Sequence, residues 1–305
     1  MPTEKSFLKN QIESGKPLLV AEISPPKSGD PGLVRAVARR YVGKVHAVGV
    51  SDNRDGVCMS ALAAALLLAQ EGIEPILHMV TRDRNRIALV SDYLGAQALG
   101  IRNVLCTTGT HQTLGPARAA KNVFDIDSIQ LIRTFANLTN DGAIVGEASF
   151  NGAPPICLGA VANPYADPVE MQVLRLAKKV SAGAQFLISQ PIFNLERFMA
   201  FWDKAAQRGI AEKAAVLLGV RVLTDAASAR NYAARHPSPL IPDALLVRLS
   251  SKKDKSAQRA VGIDIATETI QQLSSLKGVR GFEIRADGDD EAALEVMQRS
   301  GLGVD

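Results

Sequence analysis

Eight short apolar runs, each followed by a longer stretch of helical period, constrain this chain more than anything else in it. They fall at 18–24 (LLVAEIS), 44–52 (KVHAVGVSD), 74–82 (EPILHMVTR), 103–109 (NVLCTTG), 156–163 (ICLGAVAN), 185–191 (QFLISQP), 215–223 (AVLLGVRVL) and 279–285 (VRGFEIR). Runs of this kind are too short for independent helices and too apolar for half-exposed strands. They match parallel strands covered by helices. Helical segments lie between them. GVCMSALAAALLLAQEG stops at Gly72 and NRIALVSDYLGAQALG at Gly100. DPVEMQVLRLAKKVSAG has an Asp-Pro start and a stop at Gly183, and SAQRAVGIDIATETIQQLSSLKG precedes the eighth run.

Eight such repeats in 305 residues predict a (β/α)8 TIM barrel, with residues 1–305 as one domain. An open doubly wound sheet is the alternative, and the lack of a GxGxxG turn after the first run weakens its dinucleotide-binding form. No linker rich in Gly, Ser or Pro and no fixed-period repeat interrupts the chain. The segment from Thr110 to Asp127 is long for a strand-to-helix loop, and loops of that kind cover ligands.

Composition narrows the partners. With 47% hydrophobic and 22% charged residues the chain reads as globular rather than disordered. A net charge of +4 and 5% aromatics, with no aromatics interleaved in basic patches, argue against nucleic acid and are compatible with an anionic small molecule. Cys58, Cys106 and Cys157 lack CxxC spacing, and Cys106 and Cys157 read as small core residues. His46, His78, His111 and His236 show neither HxH nor HExxH, so no metal is predicted, and no GxSxG elbow marks a serine nucleophile. The N-terminus MPTEKSFLKNQIESGK has no apolar signal core and no apolar run approaches ~18 residues, which predicts a cytoplasmic protein without a membrane partner.

Glu22 ends the first apolar run, just before Pro25 and Pro26. A buried carboxylate costs several kcal/mol unless paired or protonated. It is therefore either a strand-end group reaching water or a lysine, or a general acid held in a pocket. In a barrel the C-terminal strand ends converge. Besides Glu22, those ends offer Ser51, Asp52 and Asn53, then His78 with Thr81, Arg82 and Asp83. Thr107 to Thr110, Asn163, Gln190, Arg221 and Glu283 complete the ring. Both signs of charge beside neutral hydrogen-bonding groups suit a polar heterocycle better than a phosphate alone.

Several motifs, in order along the chain, carry a family resemblance: AEISPP, HMVTRDRNRIALVSDYLGAQALGIRNVLCTTG, GAVANP, KKVSAGAQFLISQPIFN and the final GFEIR. Together they resemble methylenetetrahydrofolate reductases of the compact bacterial type. HQTLGPARAAKNVFDIDSIQLIR and GAPPICLGAVANPYADP are most similar to the branch of one-carbon catabolism and acetogenesis. The resemblance implies a barrel carrying FAD that interconverts 5,10-methylenetetrahydrofolate and 5-methyltetrahydrofolate by hydride transfer through flavin N5. It implies Glu22 as general acid, protonated near neutrality against an apolar wall, and Gln190 as the amide that binds the pterin. It further implies His78 as a flavin contact, Thr108, Gly109 and Thr110 as the turn against the isoalloxazine, and Asn163 and Lys179 along the ribityl and diphosphate.

Two departures bear on the redox partner. The family usually has an Asp where this chain has Thr110, and its NADH-using members carry a Phe after strand seven where alignment puts Ala226. The missing aromatic predicts a poor fit to NADH and an electron-transfer protein as partner. The direction of reaction and the oligomeric state, a homo-oligomer included, stay open. Two other readings also remain: a flavin-free tetrahydrofolate methyltransferase or methyl carrier, and a non-catalytic barrel subunit of an electron-transfer complex.

Overall fold

All eight runs form strands: β1 (Leu18–Ile23), β2 (Ala47–Val50), β3 (Pro75–Val80), β4 (Asn103–Thr107), β5 (Cys157–Ala162), β6 (Phe186–Ser189), β7 (Ala215–Arg221) and β8 (Val279–Arg285). In the computed structural model, which describes residues 6–144, 155–236 and 240–304, they pair in parallel in sequence order, and β8 closes onto β1. The closed barrel removes the open-sheet alternative. Residues 1–5 of the N-terminal stretch and 152–154 of the GAPPICLGAVANPYADP motif lie outside the described residues.

β8 matches its run, and the other strands are shorter than theirs, with end residues such as Ser51, Asp52 and Asn163 falling in loops. Along each strand, alternate side chains point in and out. The inward set, including Leu18, Val20, Ile76, Leu105, Phe186 and Leu217, fills the lumen, and Leu8 packs against the same cluster. Leu8 belongs to α1 (Phe7–Glu13), which precedes the barrel. The outward set, such as Leu19, Ala21, Val48 and Met79, packs against the surrounding helices.

Those helices are α2 (Pro31–Tyr41), α3 (Ala61–Gln70), α4 (Arg86–Ala98), α5 (Ser128–Asp141), α6 (Val169–Ala182), α7 (Leu195–Gln207), α8 (Ala226–Arg235), α9 (Asp243–Ser250), α10 (Lys255–Leu273) and α11 (Asp290–Arg299). Local sequence starts them. Asp30 caps α2 through the amide of Gly32, and Asp127 with Gln130 forms a reciprocal capping box on α5. The β7–β8 connection departs from the one-helix pattern: α8, α9 and α10 share a separate small core around Leu223, Tyr232, Leu249 and Ile265. No helix among the described residues is long and apolar enough to cross a membrane.

Candidate functional site

The site follows from strand parity. On β1 the lumen positions run Leu18, Val20, Glu22; on β3, Ile76 and His78; on β4, Leu105 and Thr107; on β8, Gly281, Glu283 and Arg285. The lower steps are apolar and the top step is polar, so a cavity of about 450 Å³ opens over an apolar floor at the C-terminal end of the strands. That size suits a drug-sized ligand. Glu22, His78, Thr108, Gly109, Thr110, Asn163, Lys179 and Gln190 all line it, as do Ser51, Asp52, Arg82, Thr107 and Glu283. Asn53, Thr81, Asp83 and Arg221 are not among its lining residues. Arg82 holds Asp83 at 2.7 Å while its guanidinium donates to the carbonyls of Thr110 (3.1 Å) and Asn53 (3.0 Å). The loops after β2 and β4 are thereby tied to one side chain.

Glu22 is buried, its side chain only 3% exposed, and the wall beside it is cationic. Arg54, from the loop after β2, donates to one carboxylate oxygen; Arg285 reaches the other at 3.2 Å and also pairs with Glu283. This corrects the expectation of an apolar wall. Barrel closure places Arg285 on the strand beside Glu22, where the register pairs the two residues directly. Gly49 on the other neighbouring strand makes room, since a Cβ there would come within 2.9 Å of His78 Nε2 and 3.6 Å of Glu22 Cγ. Burial, then Arg285 and Arg54, push the His78 imidazole down to about 3, so it is neutral.

Glu22, His78 and Glu283 bring potential ligand atoms within 4.8 Å of one another, a grouping of metal-ligand residue types that spacing alone did not suggest. The two carboxylates are already balanced by two guanidiniums, so a divalent cation would leave the cluster with two uncompensated positive charges. The cluster is neutral as it stands.

A second wall is built for negative charge. Gln172, Arg175 and Lys179 follow one another at helical spacing on α6 and line the cavity together. Lys179 donates to the carbonyl of Val161 at 2.6 Å; burial, with Arg175 adding to it, brings its ammonium down to about 8. After the neighbouring strand β4, Gly109 adopts φ +85°, and a Cβ there would lie 2.3 Å from Val80 Cγ2, so this turn requires glycine. Thr108 Oγ1 accepts from the Ser128 amide at 3.2 Å, fixing the turn to the start of α5. The long loop contributes Thr110 and Leu114 to the cavity wall. In all, six lysine or arginine side chains and three carboxylates line the cavity among the described residues, which favours an anionic ligand.

The third wall comes from α8. Ala226 is its first residue, buried and absent from the cavity lining. The aromatic in the lining is Tyr232, whose ring carries the Arg221 guanidinium at 3.7 Å and the His236 ring at 4.7 Å. Asp55 bridges this wall to Arg54, with Arg235 at 3.2 Å, and the His236 side chain first, then Arg54 and Arg235, hold its carboxyl below the usual range. Sequence reasoning missed Arg54, Arg285, Arg175, Tyr232 and Arg235. Arg285 was recoverable, being the next lumen position after Glu283. Arg54 sits in an irregular loop and carried no periodic signal.

Comparison with known proteins gives a consistent picture. The family profile described as methylenetetrahydrofolate reductase matches residues 7–301. A Caenorhabditis elegans protein named "Probable methylenetetrahydrofolate reductase (NADPH)" is 24% identical over 97% of this chain and 44% of its own length. "Methylenetetrahydrofolate reductase 2" of Saccharomyces cerevisiae is 24% identical over 97% of this chain and 49% of its own length. The chain thus spans less than half the length of these two relatives. Among solved structures, a Clostridium thermocellum protein described as binding two copies of 5-methyl-5,6,7,8-tetrahydrofolic acid shares the fold, with a TM-score of 0.65 and 15% identity over 95% of this chain and 97% of that one.

Proposed function

The chain belongs to the methylenetetrahydrofolate reductase family, and from that premise we propose that it is a flavoenzyme interconverting 5,10-methylenetetrahydrofolate and 5-methyltetrahydrofolate. The observation that carries this reading is a single cavity lined by Glu22 and Gln190 together with His78, the Thr108–Gly109–Thr110 turn, Asn163 and Lys179. The folate bound by the Clostridium thermocellum neighbour supports the substrate class.

The residues present fit FAD. Lys179 and Arg175 offer cationic contacts for a diphosphate, Asn163 a polar contact for the ribityl chain, and the Gly109 turn a close backbone approach. Bound there, FAD supplies a two-electron hydride donor or acceptor. The protein's own part is to hold both ring systems and manage one proton. The Gln190 amide both donates and accepts, as a pterin edge requires. His78 is neutral and adds no charge beside the ring. Glu22 exchanges the proton that accompanies opening or closing of the methylene bridge.

Thr110 in place of the family's Asp removes a negative charge that would disfavour reduced flavin, which supports taking hydride from the methyl form. The redox partner we propose is an electron-transfer protein rather than NADH, since Tyr232 has Arg221 on its ring instead of an open stacking face. The departure at Thr110 also sustains the flavin-free methyltransferase as a second reading. One absorbance spectrum of the purified protein separates them: flavin bands support the flavoenzyme. A colourless protein that fails to take up FAD but binds 5-methyltetrahydrofolate supports the transferase.

A further inference from the structure

We propose that Arg54 and Arg285 are positioning residues that hold Glu22 as a carboxylate, so that Glu22 acts as a base and takes the proton of folate N10 as the methylene bridge closes. The inference rests on the folate reading above and deepens it: it gives Arg54 and Arg285 the task of keeping Glu22 ready to receive the proton. A general acid must carry its proton before the reaction starts. Glu22 meets two guanidiniums instead, one on each oxygen.

The groups facing Glu22 from each neighbouring element agree with this. From the β2 loop comes Arg54, itself steadied by Ser24 at 3.1 Å, Asp55 at 3.2 Å and Asp287 at 3.4 Å. From β8 come Arg285 and its partner Glu283, and β3 supplies the uncharged His78. Arg221 of β7 is taken up by Asp287. The Glu283 carboxylate opposes ionisation of Glu22, but Arg285 lies on both carboxylates and Arg54 adds a second positive charge. Opposite charges in contact favour the ionised carboxyl by about 1–3 pH units in proton affinity.

The step balances as follows. The N5-methyl carbon would lose a hydride to a two-electron acceptor, the part bound FAD would supply, leaving an N5 iminium on the folate. The N10 lone pair forms the new carbon–nitrogen bond, and the electron pair of the C=N5 double bond returns to N5. The N10 proton passes to the Glu22 carboxylate. Two electrons leave with the hydride, and one proton leaves through Glu22.

Isotope-edited infrared difference spectra of the full-length protein, wild type against Glu22→Gln, taken from pH 4 to 9 without ligand, test this. Wild type should show Glu22 carboxylate bands at pH 7. Arg54→Gln should move the protonation midpoint up by at least one pH unit, a tenfold change in proton affinity, and Arg54→Lys should hold it near the wild-type value. A protonated carbonyl band at pH 7 in wild type, a midpoint unmoved in Arg54→Gln, or a lysine variant that behaves like the glutamine one overturns the proposal. If Arg54→Gln does not fold, the wild-type spectrum decides alone. Calorimetry with 5-methyltetrahydrofolate runs beside it: no binding by a protein with ionised Glu22 refutes the folate reading and leaves the charge assignment standing.

Discussion

Replacing Lys179 with Met should make the unliganded protein more stable while weakening its hold on FAD. Burial holds the ammonium at about 8 rather than the ordinary 10.5. At 1.36 kcal/mol per unit, that drop corresponds to roughly 3 kcal/mol set against the charged form in the folded state. The sign follows from proton binding. Below about pH 8 both folded and unfolded chains carry the proton and the full cost is present. Between about pH 8 and 10.5 the unfolded chain binds more protons, so stability rises with pH, and above 10.5 the cost is gone. Methionine has similar length and no charge. It removes the cost but forfeits the ammonium's hydrogen bond to the Val161 carbonyl, worth about 1.5–2 kcal/mol for a charged donor. The expected net gain is about 1 kcal/mol at pH 7, or a few degrees in Tm, shrinking toward zero and then to a loss as pH approaches 10.5. Urea melts of both proteins at pH 7 and pH 10 measure it. A methionine variant less stable than wild type at pH 7, or a difference that does not fall with rising pH, refutes the reasoning. Fluorescence titration should find FAD binding weakened by about 1.5–3 kcal/mol for the lost charged contact.

Three shorter predictions accompany this one. Gln190→Ala should weaken 5-methyltetrahydrofolate binding by about 1–3 kcal/mol in calorimetry and leave FAD affinity unchanged; loss of FAD with folate binding intact would reverse the assignment of the two pockets. The His78 ring protons should show no titration by NMR between pH 5 and 8, because the group is held neutral down to about 3, and its contribution to stability should decline only as pH falls below 6.5; a midpoint near 6 would contradict the buried setting. Gly109→Ala should cost about 2–4 kcal/mol in unfolding free energy, combining a left-handed φ with contact on Val80; a change under about 0.5 kcal/mol would show that the turn relaxes freely.

The barrel was legible because parallel strands buried on both faces leave short continuous apolar runs, and eight of them in order admit few topologies. The floor and first polar step of the cavity were legible for the same reason. What escaped depended on contacts that only closure creates. Glu22 and Arg285 stand at opposite ends of the chain and become neighbours through the β1–β8 pairing, so the charge beside Glu22 could not be read locally. Arg54 lies after Asn53, a residue with φ +46° in an irregular loop, where no period marks which way a side chain points. The α8 wall escaped because the β7–β8 connection was read as a single helix. Its short first helix brings Tyr232, Arg235 and His236 to the cavity while Ala226 turns into the core.

The alternation of lumen positions also bears on how such a protein can change. Val20 and Glu22, or Ile76 and His78, are two residues apart on one strand, yet the first of each pair belongs to the floor and the second to the chemistry. A substitution library confined to the upper lumen positions would therefore explore new specificities while leaving the apolar floor untouched. Insertion or deletion of one residue within a strand does the opposite, exchanging its inner and outer faces and sending polar groups into the helix layer. Point substitution is the open route to new activity on this scaffold, and length variation is confined to the loops.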